Sequence, residues 1–393
     1  MSGTSPRGSG AVASPFDMRQ IQRGARLRRS PYFEATLKAG CWAYTVYNHT
    51  FLPSHYDDPV AEYWHLLNEV ALWDVGVERQ VEIAGPDAFA FAQQLTPRDL
   101  SSCEVGQGKY VLIVAADGGI INDPVLLRLA KDRFWLSLAD SDVLLWAKGI
   151  AVHAGLRVEI QEPDVWPLQV QGPKSKPLIQ DLLGERVAAM PYYAFAETTL
   201  ADIPLVATRT GWTGEVGYEL YLRDGRRGLE LWDRVMQAGK PYNLRPTGPS
   251  DMRRIEAGIL NYGADMTLAD NPYEVGLGWL VDIDKPGGFI GQKALRRIKD
   301  GGVTRKLVGI EIAGDPIEFN DTKWPVRRDG KPVGHVTSAI HSPRLKRNIG
   351  YAMLPTADGK LGTLLTVATP WGEREATVVP RPFVDPKKEI PKS

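Results

Sequence analysis

The chain has 393 residues, 43% apolar and 24% charged, with 47 Lys and Arg against 47 Asp and Glu. Zero net charge leaves no cationic excess for non-specific binding to nucleic acid or a membrane surface. At about 150 residues per domain, the length predicts two or three domains.

No apolar run reaches the roughly 18 residues a membrane helix needs. The N-terminal MSGTSPRGSGAVASPF lacks the charged-then-apolar order of a signal peptide, so the expected localisation is cytoplasmic. Cys41 and Cys103 make no disulfide framework. No two histidines stand four apart and no Cys-x-x-Cys occurs, so no metal site is expected. The P-loop and Gly-x-Ser-x-Gly patterns are absent as well.

In chain order, residues 1–25 read as a disordered N-terminus opening on a Gly/Ser/Pro-rich stretch. VEIAGPDAFAFAQQL (81–95) reads as strand, Gly85-Pro86, helix, and LQVQGPKSKPLIQDLLG (168–184) repeats the pattern at Gly172-Pro173. Strand hairpins follow each unit, with turns at Asp117-Gly118-Gly119 and Lys131-Asp132 after the first. A helix closes the second, with Leu229, Trp232, Val235 and Met236 on one face. A helix over 251–259 carries Met252, Ile255 and Ile259 as its stripe and Ser250 as its cap. From about Lys306 short strands alternate with Gly, Pro and Asp, the spacing of a small antiparallel barrel. The Pro- and Lys-rich tail after Pro380 reads as an extended surface strap.

Two clusters carry candidate chemistry. In RTGWTGEVGYELY (209–221), three glycines in seven residues allow a tight turn and close approach by a ligand. Strand alternation beyond the turn puts Glu219 and Tyr221 on one face and Tyr218 on the other. A carboxylate beside aromatics suits a flat heterocycle with ring N–H groups; an ordinary hairpin with an exposed Glu is the alternative. In Gly118–Pro124, an Asn122-Asp123 pair precedes a proline that ends ladder pairing, which places a carboxylate near a ligand or in a simple Asx turn.

RTGWTGEVGYEL resembles the RTGYTGE-x-G-x-E segment of the glycine-cleavage aminomethyltransferase (T-protein) family. LWDV (72–75), GGIIND, LQVQGP, RRIEAGILNYGADM (253–266), PYEVGLGWLV (272–281), FIGQKAL (289–295) and GHVTSAIHSPRLKRNIGYAML (334–354) match in the same order, over about residues 30–380. The resemblance implies an α+β fold: a three-domain cloverleaf of two split βαβ-like domains and a C-terminal antiparallel β-barrel around a central tetrahydrofolate channel. The expected division gives residues 26–60 and 150–295 to the folate-binding domain, 61–149 to the second, and 300–393 to barrel and strap.

The resemblance implies Trp212, Glu219, Tyr221 and Tyr193 as cofactor-binding residues, with Glu219 on the pterin ring. It implies Asp123 and Asn122 as catalytic residues. Tyr110, Lys109 and Arg79 are the expected partners of a donor carboxylate. Glu219→Ala is expected to abolish folate binding with little loss of stability. Two departures stand out: Asn122 replaces the first aspartate of the family's Asp-Asp, and Gly248-Pro249-Ser250-Asp251 puts Ser250 where the family carries arginine. Both resemble the branch that demethylates dimethylsulfoniopropionate, as do AYTVYN (43–48), WDV-x-x-x-RQVEI (73–83) and TPRDL (96–100).

The implied function is methyl transfer from dimethylsulfoniopropionate, or a similar small methylated zwitterion, to tetrahydrofolate. Demethylation of an aryl methyl ether or methylamine, and glycine-cleavage aminomethyl transfer, remain alternatives. So does a folate-binding accessory role in iron–sulfur assembly, although Gly287–Lys293 lacks the cysteine of that motif. The expected partner is a small-molecule methyl donor, without nucleic acid or membrane, and a homodimer is left open.

Overall fold

The computed structural model describes residues 24–393; the expected disordered N-terminus lies almost wholly outside the described residues. Two sheets and a barrel form the frame. The first sheet runs Phe195–Leu200, Ile203–Thr208, Gly217–Leu222, Trp166–Gln171, Ala71–Asp74 and Arg245–Pro246, antiparallel except for its last pair. The second runs Glu159–Gln161, Gln80–Ala84, Arg133–Ser137, Val125–Ala130 and Gly108–Tyr110, antiparallel throughout. The barrel closes with Arg305–Ile312, Arg347–Pro355, Lys331–Ser342, Trp324–Arg328, Leu364–Thr369 and Gly372–Val379.

Side-chain alternation decides what each face meets. In Gly217–Leu222, Tyr218, Leu220 and Leu222 bury against Leu178 and Ile179 of the helix Ser175–Leu183 and against Trp232 and Val235 of Gly228–Gly239. Glu219 and Tyr221 point the other way, toward the second sheet. There Tyr221 and Val206 meet Leu127 and Trp135, with the Trp135 and Tyr221 ring centroids 6.3 Å apart. The second sheet packs its far side on helices Ala88–Leu95 and Val143–Ala154. A third apolar cluster, including Tyr63, Leu112, Ile255, Leu295 and Tyr351, ties both halves to the barrel.

The internal repeat is present in three dimensions. Gly85 and Gly172 both occupy the left-handed region, at φ +125° and +119°, between a strand and the helix that follows. A Cβ on Gly85 would sit 2.5 Å from the Arg157 carbonyl oxygen, and one on Gly172 2.6 Å from that of Glu69. Each helix begins two residues beyond the proline, so the proline shapes the turn and not the first helical turn.

Several expectations need correction. The strand Ala71–Asp74 belongs to the first sheet and Glu159–Gln161 to the second, so neither sheet respects the bounds 61–149 and 150–295. Ala71–Asp74 joins its sheet by antiparallel pairing with Trp166–Gln171, nearly a hundred residues on, and the three-residue edge strand Glu159–Gln161 carries too little pattern to be read in advance. The helix at 251 ends at Glu256, leaving Ile259 beyond it, although Ser250 caps it by accepting from Arg253 N. Leu229 is exposed, and Leu231 takes its buried place. The tail after Pro380 stays partly exposed but also docks on the body and lines the central cavity. Phe383 stacks on Tyr351, the N–H groups of Phe383 and Val384 donate to the Glu256 carbonyl, and Pro391 is buried. Its apolar rings drive that docking. Among the described residues no helix is long and apolar enough to cross a membrane.

Candidate active site

An open cavity of about 2260 Å³ occupies the middle of the molecule, lined by both sheets, the barrel and the tail. Its wall carries two buried carboxyl centres.

The first is Glu219. Alternation turns it toward the second sheet, where it is 4% exposed. Its Oε1 accepts from Gln169 Nε2 at 2.5 Å. Its Oε2 accepts from Thr210 Oγ1 at 2.5 Å, from the Tyr221 hydroxyl at 2.9 Å and from Thr208 Oγ1 at 3.4 Å. Burial pushes the carboxyl up, and these donors oppose the rise. Trp212, Tyr192 and Tyr193 complete this part of the wall. Tyr193 stands at φ +68°, a conformation costly for a bulky side chain, fixed by its own N–H to Arg209 O and by Gly108 N donating to its carbonyl.

The second centre is Asp123, at the end of the short strand Ile120–Asn122. The Tyr110 hydroxyl donates to its Oδ2 at 2.7 Å, while Oδ1 is buried without a partner. Burial raises this carboxyl to about 7, partly offset by the Tyr110 hydrogen bond. Tyrosines link the two centres. Tyr110 lies within electrostatic reach of Asp123, Tyr193 and Tyr47, and Tyr193 within reach of Glu219. Burial drives both phenols well above their ordinary range, so they act as neutral donors.

The structure thus brings Trp212, Glu219, Tyr193, Asp123 and Tyr110 to one cavity wall. Four expected residues stand elsewhere. Asn122 is fully buried behind the wall: its Nδ2 donates to Ala139 O and Ser141 Oγ, and its Oδ1 accepts from Ala139 N. It holds a loop. Tyr221 supports Glu219 from the seam between the sheets. Arg79 is committed to Glu162 and Asp142, and Lys109 Nζ to Ser102 Oγ near the surface. On the strand Gly108–Tyr110 successive side chains alternate, so Tyr110 and Lys109 could not both face the cavity. The glycines of the 209–221 segment also serve a different purpose. Gly211 and Gly217 make room for the amide of Gln171, which would lie 2.1 Å from a Cβ at either position.

Gln169, Glu78 and Tyr47 line the same cavity and were not singled out from the sequence. Gln169 and Gln171 alternate with apolar Leu168 and Val170, a polar stripe in an otherwise buried strand. Glu78 and Tyr47 carry no comparable signal.

Comparison with known proteins agrees with this architecture. The GCVT N-terminal domain matches residues 32–285, and the glycine cleavage T-protein C-terminal barrel domain matches 305–385. The chain belongs to the glycine-cleavage T-protein family. Within it, dimethylsulfoniopropionate demethylase DmdA of Ruegeria pomeroyi is 40% identical over 361 residues, covering 92% of this chain and 98% of that protein. An aminomethyltransferase of Shouchella clausii is 34% identical over 364 residues, covering 91% and 98%. The crystal structure of glycine cleavage system aminomethyltransferase T from Bartonella henselae superposes with a TM-score of 0.83 at 24% identity, covering 91% of this chain and 98% of that one. It shares the fold. Members of this family are transferases, and this chain is an enzyme of that kind.

Proposed function

We propose that the protein is a tetrahydrofolate-dependent demethylase that transfers a methyl group from dimethylsulfoniopropionate to tetrahydrofolate, giving 5-methyl-tetrahydrofolate. The observation that carries this reading is the 40% identity to the demethylase along 92% of the chain. The cavity fits the cofactor. A buried carboxylate at Glu219 suits ring N–H donors, Gln169 Oε1 is buried without a partner, and Trp212, Tyr192 and Tyr193 offer faces for a flat ring.

When bound, tetrahydrofolate supplies the nucleophilic nitrogen: an N–CH3 bond forms, the sulfonium C–S bond breaks, and the nitrogen sheds its proton. A neutral thioether leaves and needs no acid. The protein's task is placement plus removal of one proton. Asp123 Oδ1 is the free acceptor on the wall, and a carboxyl near 7 is matched to proton transfer at neutral pH. Tyr110 holds Oδ2 and so aims Oδ1. The tyrosine-rich wall around Asp123, with Tyr47 and Tyr262 in its field, attracts a sulfonium by roughly 0.5–2 kcal/mol per aromatic face. The assay is direct: protein, tetrahydrofolate and dimethylsulfoniopropionate, followed by separation of 5-methyl-tetrahydrofolate. Product formed instead from an aryl methyl ether, a methylamine or an aminomethylated carrier would reassign the donor.

A further inference from the structure

Glu78 sits in the turn that carries the chain from the first sheet, at Ala71–Asp74, to the second, at Gln80–Ala84, and its side chain reaches the cavity. It faces Glu219 across Gln169. The amide Nε2 of Gln169 donates to Glu219 Oε1 at 2.5 Å and lies 3.5 Å from Glu78 Oε1. Ser137 Oγ donates to Glu78 Oε2 at 3.2 Å, and the Tyr221 hydroxyl stands between Ser137 and Glu219. Gln169 has no solvent exposure, and its Oε1 has no partner. This corner of the wall therefore holds two carboxyls and one open amide carbonyl.

The groups facing Glu78 are Glu219 and Tyr221 from one strand, Gln169 and Ser137 from two others, and Tyr47 from the hairpin strand Ala43–Tyr47. None is a cation. Arg79, next in sequence, is turned to Glu162 and Asp142. A buried carboxyl and a half-buried one, bridged by one amide and without a counter-ion, resist ionising together. The geometry decides where the proton resides. Glu219 accepts three hydrogen bonds of 2.9 Å or shorter, while Glu78 has only the 3.2 Å and 3.5 Å contacts. The better-solvated carboxylate is Glu219. The electrostatics agree: burial and then the charge of Glu219 drive the Glu78 carboxyl well above its ordinary range.

We propose that Glu78 is a second pteridine-binding group, holding the one proton the pair shares and donating it to a ring acceptor while ionised Glu219 accepts from ring N–H groups. A reduced 4-oxopteridine offers N–H donors and a carbonyl on neighbouring positions, so an acid beside a carboxylate matches it where two carboxylates would not. The inference rests on the tetrahydrofolate reading above. It adds a consequence: association weakens as rising pH takes the proton from Glu78.

The test is anaerobic titration calorimetry of tetrahydrofolate into the full-length wild type, E78Q and E78A, from neutral to mildly alkaline pH. Wild-type affinity should fall on the alkaline side. E78Q, whose amide donates at every pH, should bind within about threefold of wild type at neutral pH and hold that affinity in alkali. E78A should bind about tenfold more weakly at neutral pH. Wild-type titrations in two buffers of different ionisation enthalpy give a readout independent of any variant: a proton should be taken up on binding in alkali. A wild type that binds without that uptake, an alkaline loss that persists in E78Q, or unchanged affinity in E78A would overturn the role of Glu78 alone. A wild type that binds no tetrahydrofolate at any pH would overturn the cofactor reading and this inference with it.

Discussion

The Tyr110 hydroxyl holds Asp123 by Oδ2 at 2.7 Å and leaves Oδ1 as a buried acceptor without a partner on the cavity wall. In the proposed mechanism this acceptor is the base that takes the folate proton. Asp123→Asn should lower kcat by about 10²–10⁴-fold with folate affinity nearly intact. Because the base must be ionised, kcat at saturating tetrahydrofolate should rise with pH and level off above about 7. Tyr110→Phe removes a donor that favours the ionised carboxyl, so it should move that midpoint upward. Initial rates across pH for the three proteins check this, and a profile unaltered in Tyr110→Phe would remove Tyr110 from the account.

Glu219 is more deeply built in than an exposed ligand would be. Its removal strands the buried donors of Gln169, Thr210 and Tyr221. Glu219→Ala should therefore lose folate binding and also cost about 1–3 kcal/mol for each stranded group, contrary to the expectation of little loss of stability. Glu219→Gln should stay closer to wild-type stability and still bind folate poorly. Denaturant unfolding beside calorimetry separates the two effects.

Gly85 and Gly172 hold equivalent joints in the two halves, each in left-handed backbone and each against a carbonyl oxygen. Alanine at either position should destabilise by more than about 1 kcal/mol, by strain as well as contact. Similar midpoint shifts for Gly85→Ala and Gly172→Ala are expected from chemical denaturation.

Arg254 is wholly buried and joins the helix Asp251–Glu256 to the barrel. Its guanidinium meets Asp265 Oδ2 at 2.5 Å, Asp251 Oδ1 at 2.9 Å and Ser338 Oγ at 2.8 Å. Arg254→Met would leave Asp265 as a buried charge without its partner, at a cost of about 3–5 kcal/mol. Thermal unfolding should show that loss, and restoration by the double change with Asp265→Asn would identify the pair as its source.

What the sequence disclosed follows from how local each signal is. The repeat was legible because a Gly-Pro joint, a strand and a helix all lie within fifteen or so residues, and the barrel because all its strands fall within one continuous stretch, 305–379. The pairing of Ala71–Asp74 with Trp166–Gln171 spans nearly a hundred residues, and no local pattern announces it. Among site residues, the motif around Glu219 and Asp123 pointed to the cavity. Lys109 and Arg79 were chosen for charge, and their partners Ser102, Glu162 and Asp142 take that charge elsewhere. Asn122 stood beside a wall residue but alternates inward. Glu78 stayed hidden because its meaning depends on Glu219, brought opposite it only by the stacking of two sheets.

The most direct measurement is a single-turnover assay with purified protein, stoichiometric tetrahydrofolate and dimethylsulfoniopropionate labelled in its S-methyl groups. The account predicts label in 5-methyl-tetrahydrofolate and one equivalent of the demethylated thioether, lost in Asp123→Asn. Unlabelled folate, with methyl or aminomethyl transfer from another donor under the same conditions, would contradict it.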